Sequence, residues 1–192
     1  QEFGKPTDFG HEITNASANG FTFDVSKKGG TYLSFDLQNK IEYYSADGIL
    51  THRIDRKLDY STEIELDNVL RTRSGMFVGR TSEKNTVSNG IGIDSKGRIW
   101  VSTYSRQPKE SEKVTSGIRV DGTDISQRNT GNTNKLETDI YDLQVFDREG
   151  IFLQMIKLNQ FVDGIRIFGE RLFVLDKLRG MRFTEYRIVE SR

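Results

Sequence analysis

A hairpin pattern at residues 89–104 recurs along the chain and restricts what the chain can fold into. Ile91 and Ile93 alternate with small or polar neighbours, which is typical of a half-buried β-strand. The turn Asp94-Ser95-Lys96-Gly97 follows, and its glycine can take a positive φ at no steric cost. Residues 98–104 have the pattern of a second strand. The unit is therefore a β-hairpin.

Two further copies of this pattern predict a repeated structural unit. The first copy, residues 19–57, begins with Asn19-Gly20-Phe21 and contains four strand-like segments, the last two joined by the strong hairpin signal Asp47-Gly48. The last copy, residues 159–192, begins with Asp163-Gly164-Ile165 and contains three such segments. Four strands in roughly 40 residues is the size of one β-propeller blade. We therefore predict an all-β fold, a β-propeller segment with about three recognisable four-stranded blades.

The remaining stretches divide the chain further. Residues 89–158 form a blade whose second and third strands are separated by a polar insertion at residues 105–139. Residues 58–88 form an inter-blade excursion or a degenerate blade, in which residues 64–66 and 76–78 have strand character. Residues 1–18 form an N-terminal arm or a closing strand, which in a closed propeller completes the last blade.

Composition excludes several classes of function. Lys plus Arg and Asp plus Glu both number 28, so bulk charge does not favour a nucleic-acid partner. The sequence has no cysteine, which removes disulfides and thiolate chemistry. It has no run of 18 apolar residues, so we expect no membrane-spanning helix. Because the sequence begins at Gln1 with no methionine and no signal-like apolar segment, we expect either a mature, processed product or a piece of a longer protein.

The copies resemble the blades of six-bladed β-propellers of the NHL-repeat type, including bacterial six-bladed propeller proteins found in exported and lipoprotein contexts. This resemblance implies an extracytoplasmic bacterial protein, periplasmic or secreted. The residues that carry this resemblance are 90–101, Gly-Ile-Gly-Ile-Asp-Ser-Lys-Gly-Arg-Ile-Trp-Val, and 143–153, Leu-Gln-Val-Phe-Asp-Arg-Glu-Gly-Ile-Phe-Leu. Six blades of this size need about 240 residues. The resemblance therefore implies about half of a ring, with the rest supplied elsewhere, or a small four-bladed ring that includes residues 58–88.

Each copy's first strand is preceded by a side-chain oxygen and a glycine. The residues are Asn19, Asn89 and Asp163. In a propeller the first strand lines the central channel, so we expect these residues at one mouth of the channel, where they are candidate ligand-binding residues. The alternative is structural, because Asn, Asp and Gly favour turns and tight strand starts.

More distantly, these elements resemble the Asn-Gly and Asp-Gly metal ligands of gluconolactonase and senescence-marker-protein propellers. That resemblance implies Ca²⁺ held by Asn19, Asn89 and Asp163, and hydrolysis of a lactone or an ester. Only one of the three residues is charged. Neither His11 nor His52 falls in a metal-ligand or triad spacing.

The sequence therefore predicts a binding or scaffold module that recognises a protein or a small ligand, with no cofactor. A non-enzymatic role is favoured, and the alternative is the Ca²⁺-dependent hydrolase. The apolar faces of an isolated half ring predict association with a protein partner, a second half ring or another copy. The insertion at residues 105–139 is a candidate contact surface, while Trp100 and Tyr104 are expected to pack between blades.

Overall fold

The computed structural model describes residues 4–71, 77–80, 82–121 and 124–189, and the described residues form an all-β fold. Three antiparallel sheets make up most of it, and they correspond to the three copies of the sequence pattern. The all-β prediction is confirmed. The ring that a propeller implies stays a prediction.

Sheet 1 contains four strands in chain order, each paired with the next. The strands are β1 (Phe21–Val25), β2 (Thr31–Phe35), β3 (Ile41–Tyr44) and β4 (Leu50–Ile54). Gly48, in the turn predicted between the last two strands, has a φ of 78°. A residue with a Cβ would be strained there, so glycine permits this tight connection.

Sheet 2 has the order β12-β11-β8-β7. Its strands are β7 (Ser88–Ile93), β8 (Ile99–Tyr104), β11 (Glu137–Phe146) and β12 (Phe152–Gln160). Sheet 3 has three strands, β13 (Gly164–Phe168), β14 (Arg171–Asp176) and β15 (Arg182–Arg187). The hairpins predicted in the second and third copies are therefore present.

Two stretches differ from their predicted structure. Residues 12–16, suggested as a closing strand, belong to the helix α1 (Glu12–Ala18), whose first turn is capped by the His11 side chain. In residues 58–88 the structure has one hairpin, β5 (Asn68–Arg71) with β6 (Phe77–Arg80), and residues 64–66 are not a strand. Of the predicted strand at residues 76–78, residue 76 lies outside the described residues and residues 77–78 belong to β6.

The polar insertion has its own structure. A short 3-10 turn, Glu110–Glu112, precedes the hairpin of β9 (Thr115–Asp121) and β10 (Asp124–Thr130). Arg106 holds the base of the insertion, because its guanidinium donates to both carboxylate oxygens of Glu112 at 2.7 and 2.9 Å. These bonds hold the pKa of Glu112 well below its usual range, despite burial.

A second contact attaches the insertion to the third copy. Arg179 is buried, and its Nη2 donates to the carbonyl oxygen of Glu112 at 3.0 Å. Its guanidinium lies 3.2 Å from the centre of the Phe161 ring, within the range of a cation–π interaction. The insertion is therefore fixed both to its own sheet and to the loop that follows β14.

Sheet 2 packs against both other sheets. Its face towards sheet 1 joins an apolar cluster that comprises Tyr32, Ile41, Ile54, Ile91, Ile99, Val101 and Phe146. Its face towards sheet 3 joins a larger cluster that includes Trp100, Leu143, Val145, Ile165, Ile167, Leu172 and Val174, with Tyr104 packed at the edge. Trp100 and Tyr104 thus pack between sheets as predicted. Strand β7 lies between β1 and β13, so the first strands of the three sheets are neighbours.

The carboxylate of Asp67 connects the N-terminal helix to the segment after β6. Its Oδ1 accepts hydrogen bonds from Lys84 Nζ at 2.6 Å and from Ser82 N at 2.9 Å, and its Oδ2 accepts from Thr14 Oγ1 at 3.0 Å. The side chains of Asp67 and Lys84 are 0% and 7% exposed. The hydrogen bond from Lys84 lowers the pKa of Asp67 to about 2.

We expect Asp67→Asn to lower the free energy of unfolding at neutral pH. In acid, the variant and the wild type should have similar free energies of unfolding. The folded pKa lies below the unfolded value of about 3.9, so the carboxylate stabilises the fold fully above that pH. Its contribution declines as the pH falls from about 4 towards 2. Urea unfolding at a series of pH values measures the difference between wild type and variant.

Two controls accompany this measurement. Asp59→Asn removes an exposed carboxylate and should leave the free energy of unfolding nearly unchanged. Lys84→Met leaves Asp67 buried without its cation and should cost roughly 3–5 kcal/mol at neutral pH. An Asp67→Asn effect that stays constant between pH 2 and 6 would contradict the assigned pKa.

Candidate functional site

A cleft of about 400 Å³, here the mouth cleft, opens where the first strands of the three sheets begin. Thr22 of β1, Gly90 of β7 and Gly164 of β13 line it. One face of sheet 3 forms the rest of the wall, through Arg166, Phe168, Phe173, Leu175 and Phe183. Two of the three predicted site residues, Asn89 and Asp163, are also in its lining.

Both polar atoms of the Asn89 side chain form hydrogen bonds. Its Nδ2 donates a short hydrogen bond to the carbonyl oxygen of Val162, and its Oδ1 accepts from Ser102 Oγ at 2.8 Å. These bonds join β7 to β8 and to the segment before β13. Asn89 therefore has a structural role at the predicted position, and its oxygen is already an acceptor.

Asp163 is half-buried beside the start of β13. Its backbone N–H donates to the carbonyl oxygen of Leu175 at 2.7 Å, and its Oδ2 accepts from the backbone N–H of Lys177 at 2.6 Å. The carboxylate thus fixes the chain at the end of β14. Arg166 and Lys177 also line the mouth cleft, so one carboxylate and two cations share its wall.

Asn19 is not part of the mouth-cleft lining. Its Oδ1 accepts from the backbone N–H of Thr7 at 2.9 Å and from Gln38 Nε2 at 3.1 Å. Its Nδ2 donates to the carbonyl oxygens of Thr7 and Asn15, both at 2.9 Å. The amide holds the N-terminal segment and the end of α1 against sheet 1, and it lines a separate cleft of about 170 Å³.

The structure therefore brings two of the predicted residues into one cleft and places the third in another. Among residues 4–71, 77–80, 82–121 and 124–189, no cluster of three His, Asp or Glu side chains has the geometry of a metal site. Both amides have protein partners for their oxygens. What the mouth cleft offers is apolar contact, an aspartate and two cations.

Sequence reasoning missed the aromatic wall of this cleft. Phe173 pairs with Arg166 across β13 and β14, and Leu175 pairs with Phe183 across β14 and β15. The signal was available in the continuous apolar run at residues 172–175, since such a run indicates a strand with apolar contacts on both faces. Phe168 and Phe183 nevertheless remain 67% and 68% exposed.

Two tyrosines of sheet 2 lie close enough to Asp163 to be affected by its charge, the half-buried Tyr104 and the buried Tyr141. The Tyr104 and Tyr141 hydroxyls are 3.4 Å apart, and their ring centres are separated by 4.8 Å. Burial raises the pKa of both hydroxyls, and the nearby negative charge of Asp163 adds to the effect. Both therefore remain protonated at neutral pH and serve as hydrogen-bonding groups in the packed interior.

Comparison with known proteins gives little further information. No protein-family profile matches the sequence, and no curated protein is similar to it. Among solved structures, a member of the DUF4221 family from Bacteroides vulgatus is similar with a TM-score of 0.47 and 9% identity. The matched region covers 90% of this chain and 47% of that one, so this chain spans less than half of that structure's length. At this level the similarity assigns neither a fold nor a function.

No helix within the described residues has the length and apolar character needed to cross a membrane.

Gly90, at the base of the mouth cleft, gives a direct test of the sheet packing. A Cβ on Gly90 would lie 2.8 Å from the backbone nitrogen of Ile165, so Gly90→Ala forces β7 and β13 apart. Such overpacking costs typically about 1–3 kcal/mol, which denaturant unfolding detects. Gly117→Ala is the matched control, because no atom lies within 4 Å of its added Cβ. Equal effects of the two substitutions would contradict the close approach of these strands.

Proposed function

We propose that this chain is a binding and scaffold module, about half of a six-bladed β-propeller, that associates through the uncovered faces of its outer sheets. Its recognition surface would comprise the strand ends at Asn89 and Asp163 and the insertion at residues 105–139. The main support is a difference in exposure between residues at the same position of the three sequence copies. Such residues are buried where one sheet packs on the next, and they are exposed on the outward sides of sheets 1 and 3.

The first face is on sheet 1. Aligning the copies on Asn19-Gly20, Asn89-Gly90 and Asp163-Gly164 makes Phe21 equivalent to Ile91 and Ile165. Ile91 and Ile165 are 0% and 2% exposed, because the preceding sheet in each case covers them. Phe21 is 49% exposed, and Phe23 on the same face is 52% exposed. On this face of sheet 1, strand β1 is therefore exposed, whereas its partners Leu33 and Phe35 in β2 are buried beside the N-terminal segment. Among the described residues, no other sheet packs on β1 from this side.

The second face is the outer face of sheet 3, where Phe168 and Phe183 are the most exposed aromatic residues. On sheet 2 the equivalent face, with Trp100 and Leu143, is buried against sheet 3. The exposed face of sheet 1 corresponds to the face by which sheets 2 and 3 pack on the sheet before them. The exposed face of sheet 3 corresponds to the face by which sheets 1 and 2 pack on the sheet after them. Such surfaces make head-to-tail contacts, which close into a ring when the rotation permits it.

A second copy of the chain would supply both the sheet that precedes sheet 1 and the sheet that follows sheet 3. Three sheets from each copy would give six, the number of blades that the sequence pattern resembles. Exposed apolar surface of this kind marks an interaction site in soluble proteins. In the complete assembly the partner's sheet 1 would cover the aromatic wall of each mouth cleft, while the strand ends at Asn89 and Asp163 would face the shared axis.

We expect the purified chain to elute with a mass of at least twice its 22.0 kDa. The double variant Phe168→Glu/Phe183→Glu should convert it to a monomer, because it places charge in the apolar contact. Size-exclusion chromatography with light scattering gives the mass. The control Ile49→Glu/Ile151→Glu changes two turn residues that are 66% and 63% exposed. A monomeric wild-type chain, or equal dissociation of the control, would contradict the proposal.

The Ca²⁺-dependent lactone or ester hydrolase has weaker support, because Asn19 lies outside the mouth cleft and the Asn89 oxygen accepts from Ser102. We expect millimolar Ca²⁺ to leave the melting temperature unchanged relative to EDTA, since only a bound ion stabilises the native state. Calorimetry measures this. A rise of several degrees that Asp163→Ala abolishes would favour the hydrolase over the scaffold.

A further inference from the structure

A second, larger cleft lies at the opposite end of the sheets from the mouth cleft. It has a volume of about 450 Å³ and is enclosed by three turns, between β1 and β2, between β7 and β8, and between β11 and β12. We name it the turn cleft. Because its walls come from sheets 1 and 2 of one chain, it exists without a partner.

Four cationic side chains line the turn cleft. Lys27 and Lys28 come from the first turn, Lys96 from the second and Arg148 from the third, and all four residues are exposed. The chain as a whole has a formal net charge of zero. A concentration of four cations within one cleft therefore creates a local positive potential that attracts anions.

The two carboxylates in the lining are held by other groups and do not pair with Lys27 or Lys28. Asp94 is buried, and its Oδ2 accepts from Arg98 Nε at 2.6 Å and from Trp100 Nε1 at 3.0 Å. Glu149 accepts from the neighbouring Arg148 at 2.6 Å. Among the ion pairs formed by the described residues, none includes Lys27 or Lys28. These two cations therefore have charge available for a ligand.

The inner wall of the turn cleft is aromatic. The rings of Tyr32 and Tyr43 are stacked with centres 4.4 Å apart and an interplanar angle of 27°, and both line the cleft. Gly30 makes room for this pair, since a Cβ there would lie 2.3 Å from the Tyr43 hydroxyl oxygen. Burial raises the pKa of Tyr32 to about 12, so its hydroxyl stays a donor at neutral pH.

We propose that the turn cleft binds a small organic anion that has an aromatic ring beside phosphate or carboxylate groups. Lys27 and Lys28 would contact the anionic groups, and the half-buried Tyr43, which stacks on the buried Tyr32, would contact the ring. The volume lies within the range of about 300–1,000 Å³ that is typical of small-molecule sites. This site is separate from the mouth cleft and does not depend on self-association.

Three probes separate the contribution of the cations from that of the aromatic wall. Their affinities are measured by isothermal titration calorimetry at low ionic strength. ADP has a ring and anionic groups, inorganic pyrophosphate has only the anionic groups, and adenosine has only the ring. We expect ADP to bind more tightly than either of the other two and to weaken as salt is added. The absence of ADP binding at millimolar concentration would overturn the proposal, and equal affinities for ADP and pyrophosphate would overturn the role of the tyrosine wall.

Lysine substitutions inside and outside the turn cleft test whether ADP binds there. Lys27→Ala/Lys28→Ala should weaken ADP binding at least about tenfold, because it removes two charged donors. The control Lys109→Ala/Lys157→Ala removes the same charge from exposed positions outside the cleft and should change the affinity less than twofold or so. An equal loss in both variants would show that binding follows net charge alone and would overturn the site.

Tyr43→Leu tests the wall directly and retains an apolar side chain at this position. It should reduce the affinity for ADP towards that for pyrophosphate, while the affinity for pyrophosphate stays unchanged. Circular dichroism confirms that the variant is folded. A folded Tyr43→Leu protein with wild-type affinity for ADP would exclude ring contact with this wall.

Discussion

Side-chain packing between the faces of successive sheets is the interaction on which the rest of this structure depends. Sheet 2 has apolar clusters on both of its faces, and sheets 1 and 3 each pack against one of them. Gly90 and Gly92 allow the approach on one side, since a Cβ at either would lie within 3 Å of Ile165 or Ile167. The hydrophobic free energy gained here fixes how the three sheets are arranged. Among the described residues, β1 of sheet 1 and the outer face of sheet 3 remain exposed.

The same arrangement produces two different surfaces. At the end where the first strands begin, Asn89 and Asp163 use their polar atoms to hold strand ends together, and the exposed face of sheet 3 adds aromatic residues. At the other end, turns from two sheets bring together lysines around a pair of stacked tyrosines. Packing between sheets thus positions both clefts, because each is built from segments that are far apart in the sequence.

Sequence periodicity predicts the sheets well, because alternation and turn glycines are local signals. Gly48, Gly97 and Gly150 all have the positive φ that their turns require. The helix α1 was missed because it has only seven residues and is held by tertiary contacts of Asn19 and Asp67. Asn89 and Asp163 were correctly grouped by their place in the repeat, whereas the separate position of Asn19 depends on contacts with Thr7 that no local pattern indicates. The turn cleft depends on which turns meet, which the strand pattern alone does not specify.

The most direct test of the account uses disulfide cross-linking between copies, which the absence of native cysteine makes clean. A Cβ on Gly92 would lie 3.4 Å from the Cβ of Ile167, and the equivalent pair between two copies is Arg166 with Phe23. That spacing is close to what a disulfide needs. When Phe23→Cys and Arg166→Cys chains carrying different tags are mixed and oxidised, the head-to-tail arrangement predicts that mixed cross-links will predominate. Mixed cross-links no more abundant than those within each variant would contradict it.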